Sequence, residues 1–266
     1  MSTPQGVGLK IERAKQHFTD LVGKVDAWLK TNPYAFFRES DPESGDQLLR
    51  FQIQRDMPSD VWSPIIGDCI HNLRSALDHL VCALVLANRK KIYGGHQFPI
   101  YETADLYKLK SPGCVQGARK DAVKDIDSLK PYKGGNDGLW RLHLLDINDK
   151  HRGLIAVVGS NEGVTTDFSK LIASHNLPIL GQAVRDDPSF FKIPFRPAKP
   201  CPLKDGDVLY RIARDDIGKG DDHPEITAAP AFYEPGISEC EPIVPALSQL
   251  GTLVEEAVKL FDRFFP

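Results

Sequence analysis

One run of the sequence, HNLRSALDH at 71–79, gathers two imidazoles, a guanidinium, a carboxylate, an amide and a hydroxyl. His71, Arg74 and Asp78 stand at i, i+3 and i+7, and Asn72, Ser75 and His79 form a parallel stripe beside them. At about 100° per residue all six fall on one arc of a helix. Asp78 is four residues from Arg74, the spacing of an intrahelical ion pair. Such an arc can move protons through its imidazoles and hold an anion, phosphate above all, through its guanidinium. It can equally be a hydrogen-bond network that fixes how helices pack. An ordinary solvated face is built from Lys, Glu and Gln. This arc, with Asp68 at its start, carries no Lys and no Glu. One turn later Cys82, Val85 and Leu86 occupy the same arc, so we expect another element to cover it.

A second cluster lies in LWRLHLLDINDKHR, 139–152. His143, Asp146 and Lys150 repeat the i, i+3, i+7 spacing, and Lys150, His151 and Arg152 crowd the last turn. Cations at a helix C-terminus are favoured by the dipole, which is a structural reason for all three. The binding reading is that they extend an anion site begun on the first helix. His71, Asp78, His79, His143 and Asp146 also offer nitrogen and oxygen ligands for one or two ions. Their spacing matches neither H-E-x-x-H nor paired E-x-x-H, so no metal and no cofactor is expected.

The elements that must position these residues follow from periodicity. Ser63–Asn88 reads as a helix capped by Ser63, with Pro64 at its first position and an apolar arc of Ile65, Cys69, Leu73, Ala76, Leu77, Leu80 and Leu84. Residues 8–30 carry a three-four seam at Ile11, Ala14, Phe18, Leu21, Val25 and Trp28. Residues 245–265 carry a matching one at Leu247, Leu250, Val254, Ala257, Phe261 and Phe264. Shorter helices are expected at 115–130 and 138–152, with a loop at 89–113. Period-two alternation of Leu49, Phe51 and Ile53 around the turn-rich DPESGD predicts a β-hairpin over 34–55. Residues 153–235 read as strands and turns. The expectation is one α+β domain over 1–266, a bundle of about five helices packed with an antiparallel sheet.

The chain has 266 residues, 41% apolar and 26% charged, with net charge −3. No global basic field marks a nucleic-acid partner, so such a contact would be local. Five cysteines, at 69, 82, 114, 201 and 240, show no CxxC spacing. They read as free thiols of a reducing cytoplasm. No signal-like apolar core and no run of about 18 apolar residues appears, so no membrane span is expected.

Arg74-x4-His79 resembles the R-x4–6-H signature of HEPN-type helical domains. The HNLRSALDH phrase, the FPI at 98–100 and the DKHR turn at 149–152 also resemble a group of bacterial proteins sharing these three features. The resemblance spans roughly residues 60–155. The likeness to HEPN-type domains implies a helical bundle and, as in many members of that family, metal-independent RNA cleavage at a dimer interface, with Arg74 and His79 as the catalytic pair. His71, Asn72, Asp78, Lys150, His151 and Arg152 would then bind or orient the RNA. Two alternatives stay open: a non-catalytic interaction protein whose polar helix face fixes packing, and a metal-dependent hydrolase.

Overall fold

A computed structural model describes residues 4–151, 157–167, 192–195, 202–216, 225–234 and 236–265. Within them the helices are α1 (Gln5–Leu29), α2 (Ser59–Ala87), α3 (Ala104–Cys114), α4 (Lys120–Ser128), α5 (Asp137–His151) and α6 (Ile243–Lys259). The strands are β1 (Tyr34–Ser40), β2 (Gln47–Ile53), β3 (Val157–Asp167), β4 (Lys192–Phe195), β5 (Val208–Ile212), β6 (Glu225–Glu234) and β7 (Ser238–Pro242). The fold is α+β, as the periodicities predict.

The apolar seam of α1 meets that of α2, which also packs on α5 and α6. Leu21, Ile66, Ile70, Leu77, Leu80, Leu142 and Val254 are sealed in the shared core. Each such side chain contributes about 1.5–3 kcal/mol by leaving water, so the position of α2 is fixed by its apolar arc. Its polar arc takes whatever neighbours that orientation leaves. An 18-residue window of α2 has mean hydropathy 1.2, and 61% of it is buried within the fold. By length and composition α2 could cross a membrane, but core packing accounts for its apolarity.

The strands form two antiparallel sheets rather than one. The early hairpin is extended by a late strand in the order β1-β2-β5, and the second sheet runs β4-β3-β6-β7. Trp28 joins bundle to hairpin, standing edge-on to both Trp62 and Tyr34 at 5.3 and 5.2 Å. A smaller core of Phe51, Leu203 and Leu209 lies under the first sheet.

Local boundaries differ from expectation for identifiable reasons. α2 begins at Ser59, so Pro64 sits inside it and Ser63 is buried rather than capping. The carbonyl that Pro64 leaves without a helical donor is that of Asp60, an exposed residue of the first turn, where water can serve it. A helix, α3, occupies 104–114 of the expected loop. Thr103 caps it by accepting from the Leu106 N–H at 3.2 Å. Gly117, at φ +89°, breaks the chain before α4, which therefore starts at Lys120 and not at 115.

The cysteines also depart from expectation. Cys69, Cys82 and Cys114 are free, whereas Cys240 is disulfide-bonded. One bridged cysteine in a chain with no CxxC spacing leaves no signature in sequence. With it, the argument from free thiols to a reducing compartment loses its basis.

Candidate active site at the seam between α2 and α5

The apolar packing of α2 divides its polar arc among three neighbours. Arg74 is only 4% exposed. It donates from Nη1 to Asp78 Oδ1 at 2.5 Å and from Nη2 to the Phe98 carbonyl at 2.9 Å. Asp78 Oδ1 in turn accepts the Phe98 N–H at 2.8 Å. Arg74 and Asp78 thus satisfy both backbone groups of Phe98 and fasten the FPI segment to the helix. Asn72 turns the other way, toward α1. Its Oδ1 accepts from Lys10 Nζ at 3.2 Å and its Nδ2 donates to the Asp68 carbonyl at 2.8 Å.

His79 is exposed on the same side. A Cβ at Gly6 of α1 would stand 2.9 Å from its Nδ1, so the absent side chain lets the two helices approach. Arg74 and His79 are five residues apart, which separates them by about 140° around the axis. One is buried against residue 98 and the other lies beside α1, and no hydrogen bond or shared partner joins them among the described residues.

The third neighbour is α5. The His71 side chain is 42% exposed and held at both ring nitrogens. Nδ1 lies 3.1 Å from Asp146 Oδ1, and Nε2 lies 3.3 Å from Ser75 Oγ. Asp146 is 4% exposed, and its Oδ2 accepts from Lys150 Nζ at 2.7 Å. A carboxylate only accepts. Neutral His71 therefore carries its proton on Nδ1, and the Nε2 lone pair faces the Ser75 hydroxyl. This is the order nucleophile or acceptor hydroxyl, base, orienting carboxylate that recurs in acid–base sites.

The surroundings of this chain are crowded with charge. Burial pushes the Asp149 carboxyl upward, and Asp146 and Asp68 push it the same way. Gly67 is what makes room for it: a Cβ there would lie 2.3 Å from Asp149 Oδ1. Burial, followed by the nearby Arg74 cation, drives His143 down to about 4. Its Nδ1 is buried without a hydrogen-bond partner. The polar arc as a whole is not sealed. Asp68 and His79 are exposed and His71, Ser75 and Asp78 are half-exposed, leaving an open strip between α1 and α5. The expected cover closes only its flanks.

Of the other residues flagged in the sequence, Lys150 joins the seam through Asp146. His151 ends α5, and Arg152 lies outside the described residues. No group of three or more His, Cys, Asp or Glu side chains is arranged to hold a metal ion among the described residues. Asp146 and Ser75 were visible in the sequence but carried no catalytic assignment. The usable signal was the i, i+4 spacing of His71 and Ser75, together with a lone glycine at 67 inside a helix, which usually marks close packing.

His143 gives the seam a pH signature. Its pKa of about 4 lies below the ordinary 6.5 of the unfolded chain, so the unfolded state takes up the proton first. The stability this represents is complete above pH 6.5 and is lost as pH falls toward 4. Between pH 7 and 5 the loss reaches up to about 2 kcal/mol, less whatever solvent screening removes. We expect His143→Leu to lose less stability than the parent protein across that interval in urea unfolding. Equal losses in the two proteins would show that His143 is not held neutral.

Comparison with family models, with curated proteins and with solved structures gives no match for this chain.

Proposed function

We propose that the seam between α2 and α5 is the acid–base site of a metal-independent, HEPN-like ribonuclease, in which His71 moves the proton. The observation that carries this reading is a half-exposed imidazole fixed at both nitrogens, Nδ1 by a buried carboxylate and Nε2 by a displaceable hydroxyl. The RNA substrate and the pairing of two copies come from the resemblance of Arg74-x4-His79 to HEPN-type domains. In this mechanism a ribose 2′-OH takes the place of the Ser75 hydroxyl and gives its proton to Nε2. The 2′-oxygen attacks phosphorus, the bond to the 5′-oxygen breaks, and that oxygen takes a proton from solvent. Lys150 supplies positive charge beside the phosphate. Arg74 acts as a clamp on the Phe98 segment and not as the phosphate ligand.

A second reading is favoured by one contact. Ser75 Oγ on Nε2 makes Ser75 a candidate nucleophile, with His71 as its base and Asp146 as orienter. A single-stranded oligoribonucleotide incubated with the protein in EDTA separates the readings. The ribonuclease reading expects cleavage that disappears in His71→Ala and persists in Ser75→Ala. Labelling of Ser75 by a fluorophosphonate, in which the Oγ–P bond forms, fluoride leaves and His71 takes the proton, would support the second reading if cleavage is absent. Neither cleavage nor labelling, from variants folded by circular dichroism, would leave the seam as a packing network.

A further inference from the structure

A second cleft opens between α3 and α4. It encloses about 420 Å³, within the range of sites for small molecules. Ala104, Pro112, Val115 and Val123 give it apolar walls. The ring of Tyr132 lines it, tilted 49° to the buried Tyr107 at 5.7 Å between centroids. Polar groups converge at two points. The Tyr107 hydroxyl, kept protonated by burial and by its carboxylate neighbour, donates to Asp127 Oδ1 at 2.6 Å. This fixes the Asp127 carboxylate at the edge of the cleft. Asp127 Oδ2 has no hydrogen-bond partner, and the Lys108 ammonium no ion pair, among the described residues. The cleft therefore combines apolar and aromatic walls, an anchored carboxylate and a cation without an ion pair among the described residues.

We propose that this cleft binds the guanine base of a nucleotide or of RNA. Tyr132 packs on the ring, Asp127 accepts from the Watson–Crick edge and Lys108 meets the phosphate. Guanine presents two adjacent donors, N1–H and N2–H, to a carboxylate whose Oδ2 is free and whose Oδ1 keeps a second lone pair. Adenine offers one donor beside an acceptor, which the carboxylate repels. Unstacked bases held on aromatic rings and read along that edge are the common mode of single-strand recognition. The inference deepens the ribonuclease reading, on which it rests for its biological source, but binding can be measured without cleavage.

The test is calorimetric titration of the full chain with guanosine, inosine and adenosine 5′-monophosphates. The expected result is guanosine monophosphate at least tenfold tighter than adenosine monophosphate, with inosine monophosphate, which lacks the N2 donor, between them. Asp127→Asn keeps an acceptor for Tyr107 and should erase the preference for guanine. Lys108→Gln should weaken guanosine monophosphate several-fold while leaving guanosine unchanged. A short guanine-containing oligoribonucleotide that binds tighter than the mononucleotide identifies RNA as the source, and equal affinity identifies the free nucleotide. Equal binding of the guanine and adenine nucleotides, no binding at millimolar concentration, or saturation by phenylalanine in their place would overturn the proposal. His71→Ala should bind guanine normally. Guanine binding without RNA cleavage would therefore sink the ribonuclease reading and leave the cleft standing.

Discussion

Replacing Arg74 with methionine is expected to destabilise the protein by about 2–4 kcal/mol while leaving the seam chemistry in place. Methionine reproduces most of the aliphatic length, so the loss is of donors rather than of packing. Arg74 serves Asp78 Oδ1 and the Phe98 carbonyl from a position 4% exposed. Its removal leaves the Phe98 carbonyl without a donor and the Asp78 carboxylate with the Phe98 N–H alone. Breaking a fully buried pair costs about 3–5 kcal/mol. The Asp78 side chain is 34% exposed, and solvent recovers part of that. At roughly 2–4 °C per kcal/mol for a chain of this size, the melting temperature should fall by roughly 5–15 °C. Loss of the nearby cation should also let the pKa of His143 rise, because Arg74 is the second cause of its depression. Differential scanning calorimetry with urea unfolding reads the first effect. RNA cleavage well below the melting temperature tests the rest. A variant of parental stability that no longer cleaves would restore Arg74 to the catalytic role that the resemblance implies.

Arg74 also shows why the site was only half legible. The i, i+3, i+7 series His71, Arg74, Asp78 looks like one constellation when it is laid on a wheel. His71 and Arg74 nevertheless differ by 60° around the axis. Once the apolar arc fixes the rotation of α2, that is enough to send one to α5 and the other to residue 98. Intrahelical spacing gives the angle but not the neighbour. The seams of α1, α2 and α6 were readable because hydrophobic burial is periodic and non-directional. The pairing of Asp146 with His71 was not, since nothing local encodes a contact between residues 75 positions apart. The α3 segment reads as loop because Pro112 and Gly113 signal a break, yet both lie inside the helix. β7, Ser-Glu-Cys-Glu-Pro, has no alternation of apolar and polar residues to read.

Asp146→Asn should reduce metal-independent cleavage by on the order of 10²–10⁴-fold with the fold retained. The amide has the volume of the carboxylate, and its oxygen can still accept from Lys150. Its NH₂ group then faces His71 Nδ1, a position the carboxylate oxygen now holds at 3.1 Å. A donor there converts Nδ1 into the acceptor and moves the imidazole proton to Nε2. Nε2 then points a hydrogen at the incoming hydroxyl and can no longer remove its proton. The loss should fall on kcat and leave KM within about threefold, because Asp146 is buried behind His71 and touches no substrate. Nitrogen-15 chemical shifts of the His71 ring report the tautomer directly and should exchange between the two nitrogens. The effect on stability should be smaller than that of Arg74→Met, since every partner of Asp146 keeps a hydrogen-bonding group opposite it. If the tautomer switches and cleavage continues at the parental rate, His71 is not the base. If the tautomer does not switch, the orientation of His71 is set by Ser75 and not by the buried carboxylate.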